Sequence, residues 1–319
     1  MKKIGVLTSG GDAPGMNAAV RAVTRTAIKK GLSVMGIYRG FQGLLNGDVA
    51  ELNIRSVSDI MHRGGTMLYS ARCDEFRYQE GVKKGADKCR EYGIDAIVVI
   101  GGDGSFRGAA DLSLYGIPCM GIPGTIDNDI GMTEYTIGYD TAMNTAMELV
   151  DKLRDTMQSL DRCSVVEVMG HRAGYIALNT GIACGATYII TKEMPYSVKE
   201  IIEIIENTQT NNKHHFIVVV SEGIGGSAEI AKQIERETGV VTRATILGHV
   251  QRGGSPTVRD RVAASQLGHF AVELLMNGIE NRVVGFWDNK VVHYDIKEAL
   301  SMKKDFDKKL FEVASDISF

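Results

Sequence analysis

Two short apolar runs within residues 93–129 constrain the fold more than any other feature. They are Ala96-Ile97-Val98-Val99-Ile100 and Ile117-Pro118-Cys119-Met120-Gly121-Ile122, and the segment between them reads as a helix. Short, continuous, β-rich runs joined by a helix are the pattern of strands buried on both faces, a parallel βαβ unit. Each run stops in a small-residue loop carrying acid: Gly101-Gly102-Asp103-Gly104-Ser105 after the first, Pro123-Gly124-Thr125-Ile126-Asp127-Asn128-Asp129 after the second. In parallel sheets ligands gather beyond the carboxyl ends of the strands, where both loops would lie. Asp103, Asp127 and Asp129 at one sheet edge, beside glycines that bare backbone N–H, suit a magnesium-bound polyphosphate next to a group that must lose a proton. The chemistry to expect is phosphoryl transfer.

The rest of the chain repeats this grammar. Residues 3–8 read as a strand breaking into Ser9-Gly10-Gly11-Asp12-Ala13-Pro14-Gly15, and a helix follows from 16 to about 30 with Met16, Ala19, Val20, Val23 and Ala27 on one face. Gly11 at that turn is either a phosphate contact or part of a tight turn only. Arg21, Arg25 and Lys29 share one face of the helix, as a solvated basic stripe or an anion site. Residues 33–38 read as a strand followed by a glycine-punctuated loop to 48. Arg72, in the small-residue stretch Ser70-Ala71-Arg72-Cys73, reads equally as a phosphate contact or a surface arginine. A long helix over roughly 140–158 precedes strand-like runs at 163–169, 186–190, 216–221 and 240–247, alternating with helical segments. That alternation predicts a second doubly wound unit. Three of its runs close in polar loops: Met169-Gly170-His171-Arg172-Ala173-Gly174, Ser221-Glu222-Gly223, and Gly248-His249-Val250-Gln251-Arg252-Gly253-Gly254.

Composition removes several classes. A chain of 319 residues with 44% hydrophobic and 24% charged residues suits a soluble globular enzyme of two domains or one large α/β unit. A net charge of −3 argues against a general nucleic-acid binder. Five cysteines without a close pair fit reduced cytoplasmic thiols better than disulfides or a zinc site. The start Met1-Lys2-Lys3-Ile4-Gly5-Val6-Leu7 is too poor in apolar residues for a signal peptide, and the apolar runs elsewhere fall far below the roughly 20 residues of a membrane helix. Walker A and dinucleotide-binding glycine motifs are absent, and the His214-His215 pair reads as structural.

The motifs together resemble those of bacterial ATP-dependent 6-phosphofructokinases nearly end to end. The match runs through Gly5-Val6-Leu7-Thr8-Ser9-Gly10-Gly11-Asp12, residues 101–105 and 123–129, Val168-Met169-Gly170, and the stretch from Leu247-Gly248-His249 to Gly253-Gly254. The resemblance implies an α/β fold of two doubly wound, Rossmann-like domains with the active site in the cleft between them. The larger, ATP-binding domain would be 1–138 plus 251–301, and the smaller, sugar-phosphate-binding domain 139–250 plus 302–319. The implied reaction is ATP-dependent phosphorylation of D-fructose 6-phosphate at its 1-hydroxyl, the committed step of glycolysis. It implies Mg2+ as cofactor, a cytoplasmic homotetramer, and neither nucleic acid nor membrane as partner.

By the same resemblance Gly11, Arg72, Cys73, Gly102, Asp103, Gly104 and Ser105 line the ATP site, with Asp103 holding magnesium. Asp127 is the base toward the sugar hydroxyl, and Thr125, Asp129, Arg72 and Arg172 support the transferring phosphoryl. An aspartate of ordinary acidity, pKa about 3.9, is ionised near neutral pH and suits that task. Met169, Gly170, His171, Glu222, His249 and Arg252 would hold fructose 6-phosphate, while Arg162 and Arg243 reach in from a neighbouring subunit. Pyrophosphate-using relatives carry aspartate at the position of Gly104 and lysine at that of Gly124, so glycine at both implies ATP. Arg21, Arg25, Asp59, Arg154, Lys213 and His215 match the effector pocket, with ADP and phosphoenolpyruvate as its ligands.

Three departures stand out. His171 occupies the position of a family arginine, with Arg172 next to it. Thr187 stands where glutamate is usual and Asn211 where a basic residue is usual, which predicts weakened effector control. Two other readings compete: another kinase sharing the Gly-Gly-Asp-Gly loop, such as an NAD or lipid kinase, and a catalytically silent sugar-phosphate sensor. The 123–129 loop and the His249/Arg252 loop speak against the first, and intact Asp103 and Asp127 against the second.

Overall fold

The apolar runs become the central strands, because only a doubly covered sheet removes both faces of such a run from water. In the computed structural model, which describes residues 1–210 and 213–318, the chain begins β1 (Lys3–Thr8), α1 (Met16–Lys29), β2 (Ser33–Ile37), α2 (Gly40–Asn46), β3 (Val49–Leu52), α3 (Gln79–Glu91), β4 (Ala96–Gly101), α4 (Asp103–Ser113) and β5 (Cys119–Pro123). It continues through α5 (Tyr139–Ser159), β6 (Cys163–Val168), α6 (Tyr175–Ala183), β7 (Tyr188–Ile190), α7 (Val198–Gln209), β8 (Phe216–Ser221), α8 (Ser227–Thr238) and β9 (Thr242–Ile246). The last elements are α9 (Val258–Met276), β10 (Arg282–Trp287), β11 (Lys290–Asp295), α10 (Ile296–Ser301) and α11 (Lys308–Asp316). Two compact units result, Met1–Thr141 with Arg252–Lys304 and Ala142–Gln251 with Asp305–Phe319.

Among the described residues, the first unit's sheet has the order β11-β10-β5-β4-β1-β2-β3. Its inner strands are parallel, and β3 and β11 close the two edges antiparallel. Every residue of β4 is buried, and each Val or Ile so placed contributes about 1.5–3 kcal/mol. The order reverses between β1 and β4: β2 lies on one side of β1, β4 and β5 on the other. Such a switch point opens a crevice at the carboxyl ends of the strands. Helix α1 buries Ala19, Val20, Val23 and Ala27, the face its spacing predicts. It meets α9 closely, because Gly268 has no side chain; a Cβ there would lie 2.8 Å from Ala22 Cβ.

The second unit's sheet, β7-β8-β6-β9, is wholly parallel. Its core is Val165, Ile190, Ile201, Phe216, Val218 and Ile234. Here too the order switches, with β8 on one side of β6 and β9 on the other.

Three sequence expectations need correction. The stretch expected as a loop up to residue 48 contains helix α2, whose Phe41, Leu44 and Leu45 are buried at helical spacing. Its glycines are boundaries and close contacts: Gly47 caps the helix at φ 80, and a Cβ on Gly43 would meet Tyr38 O at 1.5 Å. The acidic loop after β4 is a single residue, Gly102; Asp103, Gly104 and Ser105 already form the first turn of α4. Residues 248–252, expected as loop, coil into a 3₁₀ turn. Asn211 lies outside the described residues.

Candidate active site

The turns after β1, β4 and β5 line one cavity of about 600 Å³ at the carboxyl edge of the first unit's sheet. Gly11, Arg72, Cys73, Gly102, Gly104, Ser105, Thr125, Asp127 and Arg252 all face it. The two glycine turns are packed against each other by main chain. Ser9 N donates to Ile100 O at 3.0 Å, and a Cβ on Gly101 would sit 2.4 Å from Ser9 O. By contrast a Cβ on Gly102 or Gly104 would meet nothing within 4 Å. The backbone can therefore be approached closely at those two positions. Helix α4 starts there, and the N–H groups of a first helical turn, with the helix dipole, favour an anion.

Asp103 is the first residue of α4, half-buried between two cavity-lining glycines. Magnesium on a nucleotide takes one or two carboxylates plus phosphate oxygens. One carboxylate at an anion-binding helix start fits that ligand set. Arg252 fixes the other wall: its Nη1 donates to Asp12 O at 3.1 Å and lies 2.6 Å from where a Gly11 Cβ would be. Arg72 is exposed at the rim. Burial pushes the Cys73 thiol up, with the Phe76 backbone opposing, so it stays neutral and offers no nucleophile at neutral pH.

The loop after β5 is braced from behind. Gly124 N donates to Gly101 O and Ile137 N to Pro123 O, both at 2.9 Å. Thr136 Oγ1 donates to Thr125 O at 2.7 Å, and Asn128 Nδ2 to Glu134 O at 3.1 Å. Asn128 itself turns the chain at φ 52, and Asp127 N donates to Thr125 Oγ1 at 3.3 Å. Asp129 is half-buried and is not among the cavity-lining residues. Its charge acts on Lys304, whose Nζ donates to Glu134 O at 3.1 Å. Burial pushes Lys304 down to about 8, with Asp129 and Glu134 opposing.

Several lining residues carry no sequence signal. Phe41 and Phe76 stack at 4.3 Å between ring centroids, 19° apart, and form an apolar wall. Gly108 makes room for them, since its Cβ would meet Phe41 Cε2 at 2.8 Å. Arg77, Arg107 and Asp111 complete the mouth. Phe41 lies in the stretch read as loop, Phe76 and Arg77 lie in a three-residue 3₁₀ turn at 75–77, and Arg107, Gly108 and Asp111 lie in α4, whose spacing says only that one face is polar.

In the second unit, Met169 and Gly170 follow β6, Glu222 follows β8, and His249 lies in the 3₁₀ turn after β9. All four therefore stand at the carboxyl end of that sheet. Gly170 adopts φ 125, and a Cβ there would strike Ala173 O at 2.4 Å, so only glycine suits this bend. Gln251, fully buried, bridges the group: it accepts from Met169 N at 3.3 Å and donates to Gly248 O at 3.2 Å. His171, Arg172 and His249 are exposed.

Arg162 and Arg243 do not join this cluster. Arg162 precedes β6 and Arg243 is second in β9, at the amino end of the sheet. Strands of this length separate the two ends by roughly 15–20 Å. Arg243 pairs with Glu235 at 3.0 Å.

The residues matched to the effector pocket fall into two groups, one in each unit. Arg21, Arg25 and Asp59 line a cavity of about 290 Å³ with Ser58, His62 and Arg261. Burial and then Arg25 push the Arg21 pKa down. In the second unit burial and then Arg154 depress Lys213, while burial, Arg154 and Lys213 depress His215. Thr187 is buried, and its hydroxyl accepts from Ile217 N at 3.3 Å.

Comparison with known proteins agrees with this architecture. A family model described as Phosphofructokinase matches residues 3–275. The chain is 55% identical over 319 residues to the ATP-dependent 6-phosphofructokinase of Clostridium tetani, covering 100% of both chains. It is also 55% identical over 318 residues to the ATP-dependent 6-phosphofructokinase 1 of Clostridium perfringens, again at 100% coverage of both. Phosphofructokinase from Saccharomyces cerevisiae superposes with a TM-score of 0.88 at 33% identity, covering 100% of this chain and 48% of that one. A pyrophosphate-dependent phosphofructokinase from Marinobacter aquaeolei shares the fold at a TM-score of 0.87 and 22% identity, covering 97% of this chain and 86% of its own. No helix among the described residues is long and apolar enough to cross a membrane. The chain belongs to the phosphofructokinase family.

Proposed function

We infer that the chain transfers the γ-phosphoryl group of ATP to the 1-hydroxyl of fructose 6-phosphate, giving ADP and fructose 1,6-bisphosphate, as an ATP-dependent 6-phosphofructokinase of glycolysis. One observation carries this reading: the glycine-bearing start of α4 and Asp127 open on the same cavity. Identity of 55% along the whole chain to an ATP-dependent 6-phosphofructokinase supports both the donor and the acceptor.

Phosphoryl transfer asks a protein mainly for position and charge neutralisation. Backbone N–H groups at Gly11, Gly102 and Gly104 would receive phosphate oxygens, and Arg72 would add positive charge at the rim. Magnesium, when bound with the nucleotide, neutralises part of the triphosphate, and Asp103 is the residue that would hold it. The 1-hydroxyl oxygen attacks the γ-phosphorus as the bond to the bridging oxygen breaks and ADP leaves. Asp127 takes the hydroxyl proton. Thr125 and Asp129 would keep the loop and its field in place, and Arg172 would meet the transferring phosphoryl.

Met169, Gly170, His171, Glu222, His249 and Arg252 would hold the sugar phosphate. The unit carrying the cavity is thus the ATP-binding one, and the other binds the sugar phosphate. Arg162 and Arg243 lie at the far end of their own sheet, which supports a homotetramer in which they serve a neighbouring copy's site. Mixing an Arg162→Ser/Arg243→Ser chain with an Asp127→Ser chain should then restore some activity; no recovery in proven hybrids would exclude shared sites. The two basic groups matched to the effector pocket would take ADP or phosphoenolpyruvate. Five unpaired thiols support a reducing, cytoplasmic setting.

Phosphorus NMR of the product tests the reaction itself. A new phosphate ester on C1 of fructose 6-phosphate, formed in step with ADP, is expected. ADP release with no sugar bisphosphate would refute the assignment.

A further inference from the structure

Asp260 is fully buried on α9, yet no step above uses it. Its Oδ1 accepts from Tyr135 Oη and from Gly138 N at 2.7 Å. Its Oδ2 accepts from Thr141 N at 2.9 Å and from Thr141 Oγ1 at 2.5 Å. Burial pushes this carboxyl up, while Thr141, Tyr135 and Gly138 hold it back. A buried carboxylate is costly unless satisfied in this way, and removing its charge strands several donors at once.

All these donors lie within residues 135–141, and that segment is what braces the loop of Asp127. Thr136 and Ile137, between the Tyr135 and Gly138 contacts, make the bonds to Thr125 O and Pro123 O. The Arg259 guanidinium lies over the Tyr135 ring, 4.4 Å from its centre. Asp260 also lies beside the first glycine turn: a Cβ on Gly15 would lie 2.7 Å from Ile137 Cγ2 and 3.4 Å from Asp260 Cβ. One carboxylate thus fixes the segment on which both the first turn and the 123–129 loop rest.

We propose that Asp260 is a positioning residue for phosphoryl transfer: through residues 135–138 it sets where Thr125 and Asp127 stand relative to the cavity. This rests on the reading of Asp127 as the base. Displacement of a catalytic group by about 1 Å from a remote change can cost 10²-fold in rate.

Asp260→Asn and Tyr135→Phe test this, each made in the wild-type chain and in Asp127→Ser and assayed where circular dichroism shows a folded enzyme. In the wild-type background Asp260→Asn should lower kcat by about 10- to 100-fold, with KM for ATP within about twofold. In the Asp127→Ser background the same change should cost less than about twofold, because no base remains to be positioned. An equal loss in both backgrounds, or an unchanged kcat in the wild type, overturns the proposal. If Asp260→Asn does not fold, Tyr135→Phe decides by the same comparison. Normal turnover of Asp127→Ser alone sinks the base assignment and the proposal together; an equal loss from Asp260→Asn in both backgrounds, with Asp127→Ser itself impaired, sinks only the role of Asp260.

Discussion

The two sheet ends are built from different materials. At the first, glycine turns and helix α4 present main chain to a cavity of about 600 Å³, and bonds from buried residues such as Asn128 and Thr136 hold the loops. At the second, His171, Arg172 and His249 are exposed, on turns held by Gln251, by Ser221 Oγ donating to Gly170 O at 3.2 Å and by the glycine bend at Gly170. Main chain cannot change its charge or rotamer, so the first end is preorganised for polyphosphate. In the proposed function the second would depend on long side chains that are ordered when a sugar phosphate binds, at a cost in entropy. Changes at the first end should therefore act on the rate of transfer, and those at the second on acceptor affinity as well.

The largest effect expected is at the first end. Asp127→Asn should lower kcat by about 10²–10⁴, the usual worth of a general base, with ATP affinity nearly unchanged. Steady-state kinetics with a separate nucleotide titration checks this, and near-normal turnover would remove Asp127 as the base.

At the second end, Arg172→Ala should cost more turnover than His171→Ala at pH 8, by about tenfold or more. A guanidinium stays charged and can grip phosphate in two places, which an imidazole cannot do. The reverse order would give the role to His171 and show that the histidine replaces the family arginine directly.

Effector control should be smaller still. Thr187 brings no charge and its hydroxyl is already engaged with Ile217 N. ADP or phosphoenolpyruvate should shift half-saturation for fructose 6-phosphate by less than about fivefold, the lower edge of usual allosteric coupling. A strong sigmoidal response to phosphoenolpyruvate, relieved by ADP, would show that the basic groups suffice without a charge at 187.

The smallest effect concerns Lys304 behind the Asp127 loop. Its folded pKa of about 8 lies below the usual lysine range, so the folded state binds fewer protons than the unfolded chain between about 8 and 10.4. Its contribution to stability should rise with pH across that window, with its burial cost fully present below it. Comparing melting temperatures of the wild type and Lys304→Met from pH 7 to 10 should show the wild type gaining on the variant as pH rises. A constant difference would mean that the lysine is not buried in the way its contacts imply.

Much of this architecture was legible locally. Strands such as β1 and β8 follow their apolar runs to within a residue at each end, because burial on both faces leaves no other use for such a run. The glycine turns are legible as glycine-rich breaks after apolar runs; a Cβ would collide at Gly11 and Gly101, while Gly102 and Gly104 leave the backbone open. Asp260 was not. It sits in Arg259-Asp260-Arg261, a charged triplet that reads as surface, yet its partners arrive from more than 100 positions away. Lys304 is hidden from local reading for the same reason: its partner Glu134 lies 170 positions earlier. Helix α9 escaped because Val258 and Val262 remain exposed while Asp260 is buried, an inversion that blurs its apolar face.

The fold alone does not choose the donor, since a pyrophosphate-dependent enzyme shares it at a TM-score of 0.87. The choice falls to the open space beyond Gly104 and to Gly124, which adds no cation and whose Cβ would already press Met16 Cε at 3.1 Å. Turnover of fructose 6-phosphate with ATP and with pyrophosphate, at matched magnesium, measures that choice directly. Stoichiometric ADP and fructose 1,6-bisphosphate are expected with ATP, and no turnover above background with pyrophosphate. Comparable turnover with pyrophosphate would contradict it.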